Sequence, residues 1–175
     1  MKENKLFLII LVSFLLLVGC GTKETKEPDN EERKPVRLRE VTGDIVKAEL
    51  DKNGNIVINK KDITTDAVYI SYEYEGVTIG LIAVKDSHGD IKVVINTCQS
   101  CGGSPYAYFV QVGDKLQCQN CGNLFLIDEL DALVPDGCNP IGITDRKDSK
   151  DTITIGTKQL QELKDKFINW KGPKA

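Results

Sequence analysis

Two short knuckles constrain this chain more than anything else in it. Cys98-Gln99-Ser100-Cys101-Gly102 and Cys118-Gln119-Asn120-Cys121-Gly122 are separated by residues 102–117. A two-residue gap lets one tight turn aim both sulfurs at a single point. Glycine after the second cysteine tolerates the left-handed backbone such a turn uses, and it lets backbone N–H groups approach the sulfurs. Two facing knuckles make a site of four thiolates, and the C-x2-C-x16-C-x2-C spacing lies in the zinc-ribbon range. Zinc, a single iron and an iron–sulfur cluster all accept four thiolates. A fifth cysteine, Cys138, follows in Gly137-Cys138-Asn139-Pro140.

The competing use of these thiols is disulfide formation. Two structural disulfides would leave one of the five unpaired. Bridges inside each Cys-x-x-Cys would be strained and redox-active rather than structural.

The N-terminus sets the compartment. Lys2 and Lys5 precede an apolar run, Leu6 to Val18, broken only by Ser13. The run is short for a bilayer span and suits a signal-peptide core. It ends in Leu17-Val18-Gly19-Cys20, which resembles a bacterial lipobox, where cleavage precedes the cysteine and its thiol carries a diacylglycerol. Residues 1–19 thus read as a lipoprotein signal peptide and Cys20 as the lipidation site, with fatty acyl chains such as palmitate. Each buried methylene of such chains contributes about 0.8 kcal/mol of anchoring. The expected location is the extracytoplasmic face of the cell membrane.

Residues 20–40 read as a flexible linker. Lysines and arginines alternate with acidic residues around Pro28 and Pro35, a composition that buries too little surface to fold. The whole chain of 175 residues carries a net charge of -3. With no basic run, nucleic acid is a poor partner.

Residues 41–175 form the expected domain. Period-two alternation begins near Val41. Asp44 to Leu50 predicts a strand, Asn53-Gly54 a turn, and Ile56 with Ile58 a second strand. Ala67 to Tyr74 places Val68, Ile70, Tyr72 and Tyr74 on one face. Glu75-Gly76 turns the chain into the apolar run Val77 to Val84, and Ser87 to Asp90 turns it into Ile91 to Ile95, which delivers Cys98. Tyr106 to Val112 and Lys115 to Gln117 predict a hairpin that delivers Cys118. Leu124 to Leu133 predicts a short helix or turn, and Ile153 with Ile155 a last strand. Leu160, Leu163, Phe167 and Trp170 form one helical stripe after an N-cap at Thr157 and before Gly172-Pro173. Trp170 reads as core packing, and His88, the single histidine, as a polar turn residue. The fold class is therefore mainly β (α+β): an antiparallel meander, a two-knuckle four-cysteine site and a C-terminal amphipathic helix.

Together, Cys98-Gln99-Ser100-Cys101, Gly103-Ser104-Pro105-Tyr106, Cys118-Gln119-Asn120-Cys121-Gly122 and Gly137-Cys138-Asn139-Pro140 resemble the FtrD-like family of membrane iron–sulfur proteins. The similarity spans roughly residues 68–163. Many members carry this domain after several transmembrane helices, where this chain has a lipobox. The resemblance implies Cys98, Cys101, Cys118 and Cys121 as ligands of an iron–sulfur cluster or iron, with zinc as the alternative. It implies Cys138 as an additional ligand or redox thiol. It further implies electron relay or metal handling in iron uptake, beside an iron-transport permease or redox partner proteins. The alternatives are a structural zinc-ribbon binding module and a thiol–disulfide redox protein. No catalytic set accompanies the cysteines, so no enzyme is expected.

Overall fold

Glu75 and Gly76 both adopt left-handed backbone, with φ of 47° and 76°. That geometry matches a tight hairpin turn whose twist suits the flanking strands. It joins β4 (Val68–Tyr74) to β5 (Val77–Lys85), which pair in register from Val68↔Ala83 to Tyr74↔Val77. The turn at residues 87–90 then leads into β6 (Ile91–Cys98), antiparallel to β5. These three strands are the predicted meander. The computed structural model describes residues 38–132 and 137–173. The signal peptide, Cys20, nearly all of the linker, and Pro135-Asp136 lie outside the described residues.

The meander is the middle of a five-stranded sheet. β1 (Ile45–Lys47) lies parallel to β4, so one edge departs from the antiparallel pattern. The predicted strand Asp44 to Leu50 is split. Its second part, β2 (Glu49–Leu50), leaves that sheet and pairs with β3 (Ile56–Asn59). The Ala48 amide, at the crossing, still donates to the Ser71 carbonyl at 2.8 Å. The β2–β3 turn contains Gly54 at φ 80° and is held by Asp51, whose Oδ1 accepts from the Asn53 and Asn55 amides.

Three layers result. One face of the meander sends Ile70, Tyr72, Ile79, Leu81, Val93 and Ile95 against Ile56, Ile58, Ile153, Ile155, Leu160 and Phe167. The opposite face sends Tyr69, Ile82, Val84, Val94 and Cys98 against Phe109, Leu116, Cys118, Ile127 and Leu130. Burial on both faces explains why β5 and β6 read as continuous apolar runs rather than alternating ones. The second layer is a three-stranded sheet of β7 (Phe109–Val112), β8 (Lys115–Cys118) and β9 (Leu124–Leu126), followed by a 3-10 segment, Ile127–Ala132. Tyr69 pins the two layers together: its buried hydroxyl accepts from the Gln111 amide at 2.9 Å.

Three further strands complete the fold. β10 (Pro140–Gly142) pairs with β6, and β11 (Arg146–Asp148) pairs with β12 (Thr152–Ile155), which pairs with β3. Only β12 was expected from the sequence.

The C-terminal helix is shorter than its stripe predicts. α1 covers Lys158–Glu162, and a 3-10 turn covers Lys164–Phe167. The physical reason is competition for backbone groups. The Lys166 carbonyl accepts from Gly103, in the first knuckle loop, at 3.0 Å, and the Lys171 amide donates to Pro105. The stripe still packs as predicted, with Leu160 and Phe167 buried and Leu163 and Trp170 half-buried against the first core. Thr157 makes no side-chain cap; its hydroxyl donates to the Gly54 carbonyl instead.

Candidate metal centre

Each knuckle hangs from the end of a strand. Cys98 is the last residue of β6 and Cys118 the last of β8. Both are fully buried, while Cys101, Cys121 and Cys138 are half-buried. Asn96, also fully buried, holds the two strand ends together, because its Oδ1 accepts from the Phe109 amide at 2.7 Å. Phe109 in turn pairs with Cys118 across the β7–β8 hairpin. The Gln119 amide donates to Tyr108, which fixes the second knuckle against the strand entering that hairpin.

The two knuckles fold alike at their sulfurs. The Cys98 sulfur accepts from the backbone N–H groups of Ser100 and Cys101, and the Cys118 sulfur accepts from those of Asn120 and Cys121. The Gly122 amide closes the second turn onto the Cys118 carbonyl at 2.8 Å, with Gly122 at φ 80°. In the first knuckle the left-handed residue is Gly103, at φ 95°, and not Gly102 as the motif suggested. Gly102 serves a different need. A Cβ there would lie 3.0 Å from Cδ and Nζ of Lys166, which crosses over it.

The sulfurs of Cys98, Cys101 and Cys118 all lie within 4.8 Å of one another. Cys121 joins them, exchanging a hydrogen bond with Cys118 and an electrostatic interaction with Cys101. The knuckle and Cys138 thiols are free, with no disulfide among them. The Cys118 thiol donates to Cys98, which pulls the Cys98 thiol down to about 5 against the opposing effect of burial. The donor side of that bond and burial push Cys118 upward. Burial pushes Cys101 to about 11, with an Asn120 hydrogen bond acting the other way.

Cys138 arrives from a third direction. The Ser100 hydroxyl donates to the Gly137 carbonyl at 2.9 Å, and the Gln99 amide donates to the Asn139 carbonyl at 3.1 Å. Pro140 stands opposite Cys98 in the β6–β10 pairing. These contacts strap the Gly-Cys-Asn-Pro loop onto the first knuckle, and Cys138 packs against the same core as the other four cysteines.

Apolar side chains shield the sulfurs on the inner side. Tyr108 and Phe109 are buried, and Phe109 meets Phe125 edge-on at 5.9 Å. Leu124 points outward at 50% exposure, so it does not shield the sulfurs. Tyr106 lies in the loop before β7, beneath the Lys171 ammonium at 5.2 Å. Strand pairing starts only at Phe109, because Ser104 to Ala107 is a turn closed by the Ala107 amide on the Ser104 carbonyl. Ala107, Leu116, Ile127 and Leu130 complete the shell, a role their positions in the sequence did not disclose.

His88 takes no part in the site. It is exposed in the β5–β6 turn, where its amide donates to Asp86.

The donor set fits a thiophilic cation. Metal–sulfur bonds of about 2.3 Å around a tetrahedral ion put neighbouring sulfurs about 3.8 Å apart, inside the limit observed for Cys98, Cys101 and Cys118. Soft thiolates select zinc, iron or iron–sulfur centres over calcium or magnesium. Among the described residues, no helix is long and apolar enough to cross a membrane.

Residues 63–167 match the family described as membrane iron–sulfur containing protein FtrD-like. No curated protein and no solved structure matches the chain.

Proposed function

Since the chain belongs to the FtrD-like family of membrane iron–sulfur containing proteins, we propose that it is a cell-surface lipoprotein carrying a cysteine-ligated metal or iron–sulfur centre for electron relay or metal handling in iron uptake. The observation that carries this reading is the meeting of Cys98, Cys101 and Cys118 in one cluster, with Cys121 beside them. A bound iron centre supplies a one-electron couple; zinc would supply none.

The chain's own residues do the rest. Cys98, Cys101, Cys118 and Cys121 bind. The backbone N–H groups at Ser100, Cys101, Asn120 and Cys121 spread the negative charge on the sulfurs. Phe109, Leu116 and Ile127 exclude water from the inner side. The outer side stays open at the half-buried Cys101 and Cys121, where a redox partner or an iron-transport permease can approach. No enzymatic step is assigned to the chain.

The anchor and the uptake role have separate tests. Cys20→Ser is expected to abolish palmitate labelling and release the protein from membranes; retained labelling refutes the lipid anchor. Cells lacking the protein are expected to accumulate labelled ferrous iron more slowly, with rescue by the wild type and not by Cys118→Ser. Equal uptake in all three strains refutes the iron-uptake role.

A further inference from the structure

The spacing of the sulfurs bears on how many metal ions the site takes. In a cluster with bridging sulfides, the ligand thiolates are shared out among the irons. A four-iron cubane gives each iron one cysteine, and a two-iron rhomb gives each iron two. In neither arrangement do three cysteine sulfurs converge on one metal. The intervening irons and sulfides hold thiolates on different irons well apart. A single tetrahedral ion is the arrangement in which every ligand sulfur neighbours every other at about 3.8 Å.

Here three sulfurs do converge. Cys98 and Cys101 come from one knuckle and Cys118 from the other, all within 4.8 Å of one another. The interknuckle approach is close enough for a thiol–thiol hydrogen bond between Cys98 and Cys118. That pair is also the least able to spread apart. Both residues are fully buried strand termini, tied through Asn96, Phe109 and the β7–β8 pairing. The Ser104 hydroxyl links the knuckle loops again through Asn120 Oδ1 at 2.7 Å.

We infer that the four knuckle cysteines form a mononuclear site for one iron or zinc ion, and that no sulfide-bridged cluster is built there. This rests on the metal-centre reading above and narrows it. Within the electron-relay role the ion is iron, since zinc has no redox couple. The family's iron–sulfur description then refers, in this chain, to iron held by cysteine sulfur alone.

The test uses the full chain, purified in detergent without oxygen. Iron, zinc and acid-labile sulfide are measured per chain, before and after anaerobic incubation with iron and sulfide. A parallel sample is stripped and titrated with cobalt(II). The expected result is one iron or zinc per chain, no retained sulfide after incubation, and a cobalt–thiolate absorption that saturates at one equivalent. Cys138→Ser is expected to keep that stoichiometry. Two or more irons with matching sulfide overturn the mononuclear site while leaving the metal-centre reading intact. No metal in the purified chain and no cobalt–thiolate absorption overturn both.

Discussion

The Trp170 indole fills the space that a side chain at residue 80 would need. A Cβ on Gly80 would lie 2.4 Å from Trp170 Cη2, closer than carbon atoms pack. Trp170 also meets Phe167 and Tyr108 edge-on, at 5.3 and 6.2 Å. It therefore joins β5, the C-terminal segment and the strand entry beside the second knuckle. Gly80→Ala is expected to destabilise the protein by about 1–3 kcal/mol, the usual range for overpacking. Because Trp170 is the single tryptophan, its fluorescence reports directly. A red-shifted emission with a lowered Tm is the expected outcome, and an unchanged spectrum refutes the packing.

A second prediction concerns Lys166. Its ammonium donates to the Gln99 carbonyl at 3.3 Å and its chain crosses Gly102, so a fixed positive charge flanks the first knuckle. In the proposed site, four thiolates around a divalent ion would carry excess negative charge, which that ammonium would offset. Lys166→Glu is expected to weaken cobalt(II) binding about three- to tenfold, the scale of roughly 1 kcal/mol for one nearby charge in a wet setting. Lys166→Arg should keep wild-type affinity. Chelator competition at low and high salt checks both, because added salt should shrink the difference.

Acid sensitivity should trace partly to Asp148. Arg146 donates two hydrogen bonds to it and Lys60 pairs with it at 3.0 Å. The Arg146 bonds lead in holding its carboxyl at about 2, well below the usual carboxylate value. A depressed folded-state value stabilises the fold above the unfolded pKa of about 3.9, and that contribution disappears as pH falls through 2. Asp148 is 42% exposed, so solvent screening keeps the effect under about 1 kcal/mol. Asp148→Asn should therefore lower Tm slightly at pH 7 and flatten its decline between pH 4 and 2. A decline identical to wild type refutes the assignment.

The two classes of cysteine should separate by substitution. Cys118→Ser is expected to remove the one-equivalent cobalt–thiolate absorption. Cys138→Ser should retain it and leave the loop in place, because Ser100 and Gln99 hold it by the backbone carbonyls of Gly137 and Asn139. Loss of the absorption in both variants would make Cys138 an obligatory ligand. Circular dichroism of the metal-free chains separates ligand loss from misfolding.

The meander and the knuckles were legible because their signals are local. Alternation over Val68 to Tyr74, the Glu75-Gly76 turn and the Cys-x-x-Cys spacing each act within a few residues. The elements that escaped notice depend on distant partners. Pro140–Gly142 becomes a strand only against β6, with a register shift after Pro140, and Arg146–Asp148 only against β12. The single strand expected over Asp44 to Leu50 divides because β4 and β3 compete for it. The helix was overextended because its apolar stripe continues after its backbone has turned to the knuckle loop. Lys166 escaped for the same reason: nothing local places residue 166 over residue 102.

Strand β6 runs through the interior of the central sheet and stops on Cys98, a proposed ligand. Under the proposed metal-centre reading, metal supply and survival of the folded chain are joined in one equilibrium. A ligand present at a thousandfold over its dissociation constant adds about 4 kcal/mol to unfolding, a large share of what a domain of this size possesses. Chain synthesised under metal starvation is expected to open more often along β6 and to be cleared faster by proteases. Pulse-chase labelling with and without a chelator would show it as a shortened half-life, making the protein's abundance a record of the metal it has met.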